Sequence, residues 1–247
     1  MSRAVLSSIA FIVLVSVAPA RAAGAATLEP SMKTIPPPAL ETLRRSLKEV
    51  TRLIPAPDKP YVLRGEETKL TVDPGAPWDA KSKAWPRPAR ATAEYTYDLP
   101  EGATGISDEL RGFMGPIEVT VELNGEPRFA DLASEGGPPT LIPVKGATAV
   151  EVAVIAPGAV QGRVAAMTPR QSEYRLAAIT IFVADPGVEA NIRSAVKAHT
   201  SPRAATAPTA DPAELHVITV RIHGPKKSAE ELARRIPAAS LRPLLRR

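Results

Sequence analysis

The chain contains no cysteine. That excludes disulfides, thiol nucleophiles and thiolate metal sites, and leaves packing as the source of stability. Aromatic residues make up 4% of the sequence, two of them Trp, so stacking platforms are scarce and Ala, Val, Leu and Ile carry the apolar content. Histidine occurs only at 199, 216 and 223, and asparagine only at 124 and 191. No G-x-S-x-G elbow, S-x-x-K, H-E-x-x-H, acidic calcium loop or glycine-rich phosphate loop is present. No metal or cofactor is therefore expected. Beyond residue 22 no apolar run is long enough to cross a bilayer as a helix.

What is present begins at the N-terminus. Arg3 precedes an uncharged, mostly apolar run from Ala4 to Val17, and Ala18-Pro19-Ala20 and Ala20-Arg21-Ala22 follow as overlapping small-x-small sites. This order is that of a secretory signal peptide over residues 1–22. The run is shorter than the roughly 20 residues of a membrane span; a retained N-terminal anchor is the alternative. The expected location is secreted or periplasmic, with no transmembrane anchor in the mature chain.

Charge is unevenly distributed. The formal net charge is +5, from 31 Lys and Arg against 26 Asp and Glu. Residues 221–247 hold eight of the basic and two of the acidic residues, a net of +6, while residues 23–220 hold 21 and 24, a net of −3. The basic end, with Lys226, Lys227, Arg234 and Arg235 in its helical part, suits an envelope protein or an anionic surface. A solvated helix face is the plainer reading. Nucleic acid is not an expected partner, because no aromatics interleave with these basic residues.

Along the chain, Pro36-Pro37-Pro38 leads into a segment in which Leu40, Leu43, Leu47, Val50 and Ile54 fall on one helical stripe, ended by Pro55 and Pro57. Strand patterns follow at Tyr61–Arg64, Lys69–Val72, Ala91–Tyr97, Ile117–Leu123, Leu141–Val144, Ala149–Ile155 and Arg175–Val183. The clearest is IEVTVEL, strict alternation ending in Asn124-Gly125, a pair suited to a tight turn. Such alternation describes a sheet with one face covered and one solvated. AITIFVADP at 178–186 and VITVRIHGP at 217–225 resemble one another at an offset of 39, each leading into a short amphipathic helix. The second helix is expected to start with a capping box of Ser228 and Glu231.

The expected fold is α+β: an N-terminal amphipathic helix, a mostly antiparallel β body, and C-terminal strand–helix units packed on the sheet. The expected divisions are a signal peptide (1–22), an extended lead and helix (23–60), a β-rich main domain ending in a strand–helix unit (61–198), a Pro/Ala/Thr linker (199–213) and a basic strand–helix unit (214–247).

The residues able to do chemistry are few. His216 and His223 are seven apart, an odd offset that sends them to opposite faces of a strand. Glu118 and Glu122 share a strand face, but their backbones are roughly 13 Å apart. Asp98, Glu101, Asp108 and Glu109 fit no ligand loop and read as a solvated acidic turn. Gly187 and Gly224 sit at strand–helix junctions, where glycine permits the geometry. The loop Asp73–Pro88 carries Trp78 and Trp85, the best candidates for ligand contact. The leading expectation is an exported, non-catalytic, envelope-associated binding or scaffolding protein. The alternative is an extracytoplasmic hydrolase whose carboxylates are assembled from distant loops.

Overall fold

The computed structural model describes residues 35–71, 83–85, 87–100, 115–126, 138–154, 176–200, 202 and 209–245, all within one compact unit, Met32–Arg247. The first described element is α1 (Pro37–Leu53), which has prolines in its first turn and buries Leu43, Leu47 and Val50. Proline costs little there, because the first-turn N–H groups have no partner within the helix. Each buried side chain contributes roughly 1.5–3 kcal/mol relative to exposure.

Among the described residues seven strands follow: β1 (Val62–Thr71), β2 (Arg90–Asp98), β3 (Ile117–Leu123), β4 (Thr140–Ile142), β5 (Thr148–Ala153), β6 (Leu176–Ala184) and β7 (Val217–Pro225). They form one sheet, ordered β1-β2-β3-β7-β6-β5-β4, with every pairing antiparallel. The two expected segments at 61–64 and 69–72 are a single strand. The chain carries an irregularity between them, a register shift between Leu63 and Gly65.

The topology is two three-stranded meanders, β1-β2-β3 and β4-β5-β6, joined by β7. This last strand, in the part of the chain expected to dock on the main sheet, lies at its centre. Val220 of β7 is opposite Val121 on one side and Ile181 on the other. On this face Ile117, Val119, Val121, Leu123, Ile179, Ile181, Val183, Ile218, Val220 and Ile222 are buried in the main core, with α1 and the C-terminal helices α3 (Lys226–Arg235) and α4 (Ala238–Leu241).

The opposite face is covered at one end only by described residues. There α2 (Pro186–Ala198) sets Ile192, Ala195 and Val196 on Val150, Val152 and Phe182, forming a second small core. The two similar segments, 178–186 and 217–225, are therefore neighbours. At their offset of 39, Ile181 and Val220 are equivalent positions, and they also pair directly. The helices that follow them lie on opposite faces, so the resemblance stops at the strands.

The expected capping box at Ser228 does not form. Helix α3 starts three residues earlier, with Pro225 at the N-cap position and no side-chain cap. Lys226, pairing with Glu151 of β5, holds that first residue against the sheet.

Candidate functional site

Alternation along β3 and β7 decides what each face presents. Ile218, Val220 and Ile222 go to the core, so Thr219, Arg221 and His223 go to the open face, opposite Glu122, Thr120 and Glu118. Strand β2 adds Thr92, Glu94 and Thr96, and β1 adds Glu67 and Lys69. The result is a polar ledge four strands wide. Its outer part is exposed, with Glu67 paired to Lys69 at 2.9 Å, and Glu118 near His223 at 3.5 Å. The carboxylate of Glu67 holds Lys69 above its ordinary value, chiefly through their hydrogen bond.

Toward β7 the ledge becomes enclosed. Thr219 is fully buried between Phe182 and Glu122. Arg221 Nη2 lies 3.0 Å from Glu122 Oε2, but the contact is not aligned as a hydrogen bond. Glu122 Oε2, Arg221 Nε and Thr219 Oγ1 are buried without a hydrogen-bond partner among the described residues. The Asn124-Gly125 turn closes over this end: a side chain on Gly125 would place its Cβ 2.6 Å from Glu122 Oε2.

Asn124 is not the tip of a β-hairpin, since β3 pairs with β2 and β7 and not with the strand that follows it. It adopts a left-handed backbone (φ 56°) and is 6% exposed. Its Nδ2 donates to Ala89 O and Glu214 O, both at 2.9 Å, and its Oδ1 accepts the His216 N–H. One side chain thus ties the entry to β2, the end of β3 and the entry to β7.

His216 lies just before β7, 3.6 Å from Glu214, while His223 is on the open face. The two do not share a strand. Glu118 and Glu122 each have a basic neighbour of their own, His223 and Arg221, and do not face one another as a carboxylate pair. Among the described residues no group of three or more His, Asp or Glu is placed to hold a metal ion. No described helix is long and apolar enough to cross a membrane.

Of the two tryptophans, Trp85 is 6% exposed and part of the main core; its backbone bridges Thr209 in both directions, at 2.7 and 2.9 Å. Trp78 lies outside the described residues, as do Glu101, Asp108 and Glu109 of the expected acidic turn. Asp98, the remaining member, pairs with Arg64 across β1 and β2.

The four basic candidates share α3, where they are engaged within the chain. Lys226 reaches Glu151 and Glu230, Arg234 reaches Glu230, and Arg235 reaches Asp58 and the Ala56 carbonyl. Burial pulls Lys226 down, but hydrogen bonds and charge from Glu151 and then Glu230 outweigh it, so its ammonium is held above the ordinary value. Lys227 and Ser228 line a shallow pocket of about 160 Å³ together with Asp58, Tyr61 and Glu231. The open-face residues Thr219, Arg221 and His223 form no motif that marks a site in the sequence. Their signal was the alternation of VITVRIHGP, which carries Ile, Val and Ile between them.

Comparisons with protein-family models, with curated proteins and with solved structures each found no match.

Proposed function

We propose that this chain is an exported, non-catalytic binding or scaffolding protein of the cell envelope, and that its contact surface is the open polar face of β1, β2, β3 and β7. One observation carries the reading. The sheet buries one face under α1, α3 and α4, while the other face at this end is polar and exposed through Glu67, Lys69, Glu94 and Glu118, with His223 half-buried beside them. A covered sheet with one side chemically equipped and solvated offers a rigid platform, where a catalytic reading requires convergent groups in a cleft. The N-terminal pattern of Arg3, an apolar run and small-x-small sites supports export.

The test has two arms. Cell fractionation and mass spectrometry of the N-terminus check export: loss of about the first 22 residues with recovery outside the cytosol is expected, and an intact cytosolic chain sinks that part. Cross-linking in the envelope fraction then compares the wild type with the Glu94→Arg and Glu118→Arg variants. Cross-linked species are expected to weaken in both variants. An unchanged pattern removes the open face as the contact surface.

A further inference from the structure

Among the described residues β1 is an outermost strand of the sheet, and it is exposed from Val62 to Lys69. An edge strand presents unpaired N–H and C=O groups, a template for another strand. The register shift before Gly65 divides β1, and its regular part runs from Gly65 to Thr71. The midpoint of that segment is Thr68.

Charge selects the same midpoint. If two copies pair antiparallel about a two-fold axis at Thr68, Glu67 of each lies opposite Lys69 of the other, and the whole regular segment overlaps. Glu67 and Lys69 share the open face, their side chains are 59% and 54% exposed, and they already meet at 2.9 Å within the strand. Across the axis they complete a ring of four alternating charges. Moving the axis one residue either way sets Glu67 against Glu67 or Lys69 against Lys69. An axis between residues is excluded, because it opposes inward-facing with outward-facing positions. Charges and a bulge commonly protect an edge from pairing; these disfavour the neighbouring registers and favour one.

We propose that β1 is a self-association edge, on which two copies of this chain pair antiparallel about Thr68 and join their sheets into one. A strand pair of this length buries less than the roughly 1,200 Å² of a stable interface, so the dimer is weak and reversible.

Sedimentation of the purified protein from micromolar to millimolar concentration, at low and high salt, tests this. The mass is expected to rise toward a dimer with concentration, and less so in high salt. Lys69→Glu turns both cross-axis pairs repulsive and is expected to weaken association at least about 10-fold. The double exchange Glu67→Lys with Lys69→Glu recreates the alternating ring and is expected to restore it. Thermal melts of the variants verify folding, since both side chains are exposed. A monomer at every concentration overturns the proposal. So does a Lys69→Glu variant that associates normally, or a double variant no better than the single one.

Discussion

At the scale of single residues, Asn124 joins more of the molecule than any apolar side chain can. It satisfies two carbonyls and one N–H from segments 35 to 92 residues away, and occupies a backbone region most residues avoid. Asn124→Ala is expected to lose about 2–4 kcal/mol in urea denaturation. Asn124→Gly relieves the backbone but leaves the same three groups unpaired, so it should recover only a small part. Thr219 makes the opposite case. Its hydroxyl is buried without a partner among the described residues, so Thr219→Val replaces that oxygen with a methyl group of similar shape. That change is expected to be neutral or to stabilise by about 1 kcal/mol; a clear loss of stability would mean the hydroxyl is engaged. The sequence showed Asn124-Gly125 as a turn, because turn propensity is local. It does not reveal that Ala89, Glu214 and His216 converge on that turn, since those contacts depend on the topology. Trp85 is similar: composition marks it as conspicuous, but only packing decides that it lies in the core.

At the scale of elements, the C-terminal helices are tied down by charge as well as by apolar contact. Arg242 donates to the carbonyls of Ala184 and Gly146 and to Glu189, whose carboxylate is largely buried and also accepts from Thr148 and Arg193. Arg242→Ala is expected to cost about 2–3 kcal/mol, because it strips a buried acid of its closest cation. Hydrogen exchange should report the loss in α2 and α4 before the rest of the sheet. Lys226 supplies a pH dependence. Its folded pKa lies above the free value of 10.5, so its contribution to stability is complete below that pH and disappears as pH rises through the folded value. Lys226→Met should be less stable at neutral pH and should lack that part of the alkaline decline in denaturation series. The basic end of the chain is conspicuous in the sequence as a cluster of charge. That these charges are met by Asp58, Glu151 and Glu230 depends on partners up to 177 residues distant, which no local pattern displays.

At the scale of the whole molecule, the α+β class, α1 and most strands were legible, because they rest on periodicity. The central place of β7 was not. Strand order is set by long-range register, and a short strand–helix unit near the end of a chain looks peripheral. This changes what deletions mean. Removing residues 214–247 takes the middle out of the sheet, and such a variant is expected to lack cooperative thermal unfolding by circular dichroism. Any trial of the basic helix as an anionic-surface contact therefore requires substitutions that leave β7 whole. Lys227→Gln with Arg234→Gln is suitable, since both side chains are on the outside of α3.

The late position of β7 also has a meaning in time. Until residue 225 is available, β3 and β6 each lack the strand that pairs with both of them, and the two meanders are not yet joined into one sheet. The closing contacts span long stretches of sequence, such as Val121 with Val220, and contacts of that kind form slowly. A ribosome therefore releases the strands from β1 to β6 before β7 can close the sheet. For a chain that, on the reading proposed above, is threaded unfolded through a membrane, that delay keeps it in a transportable form until β7 has been made.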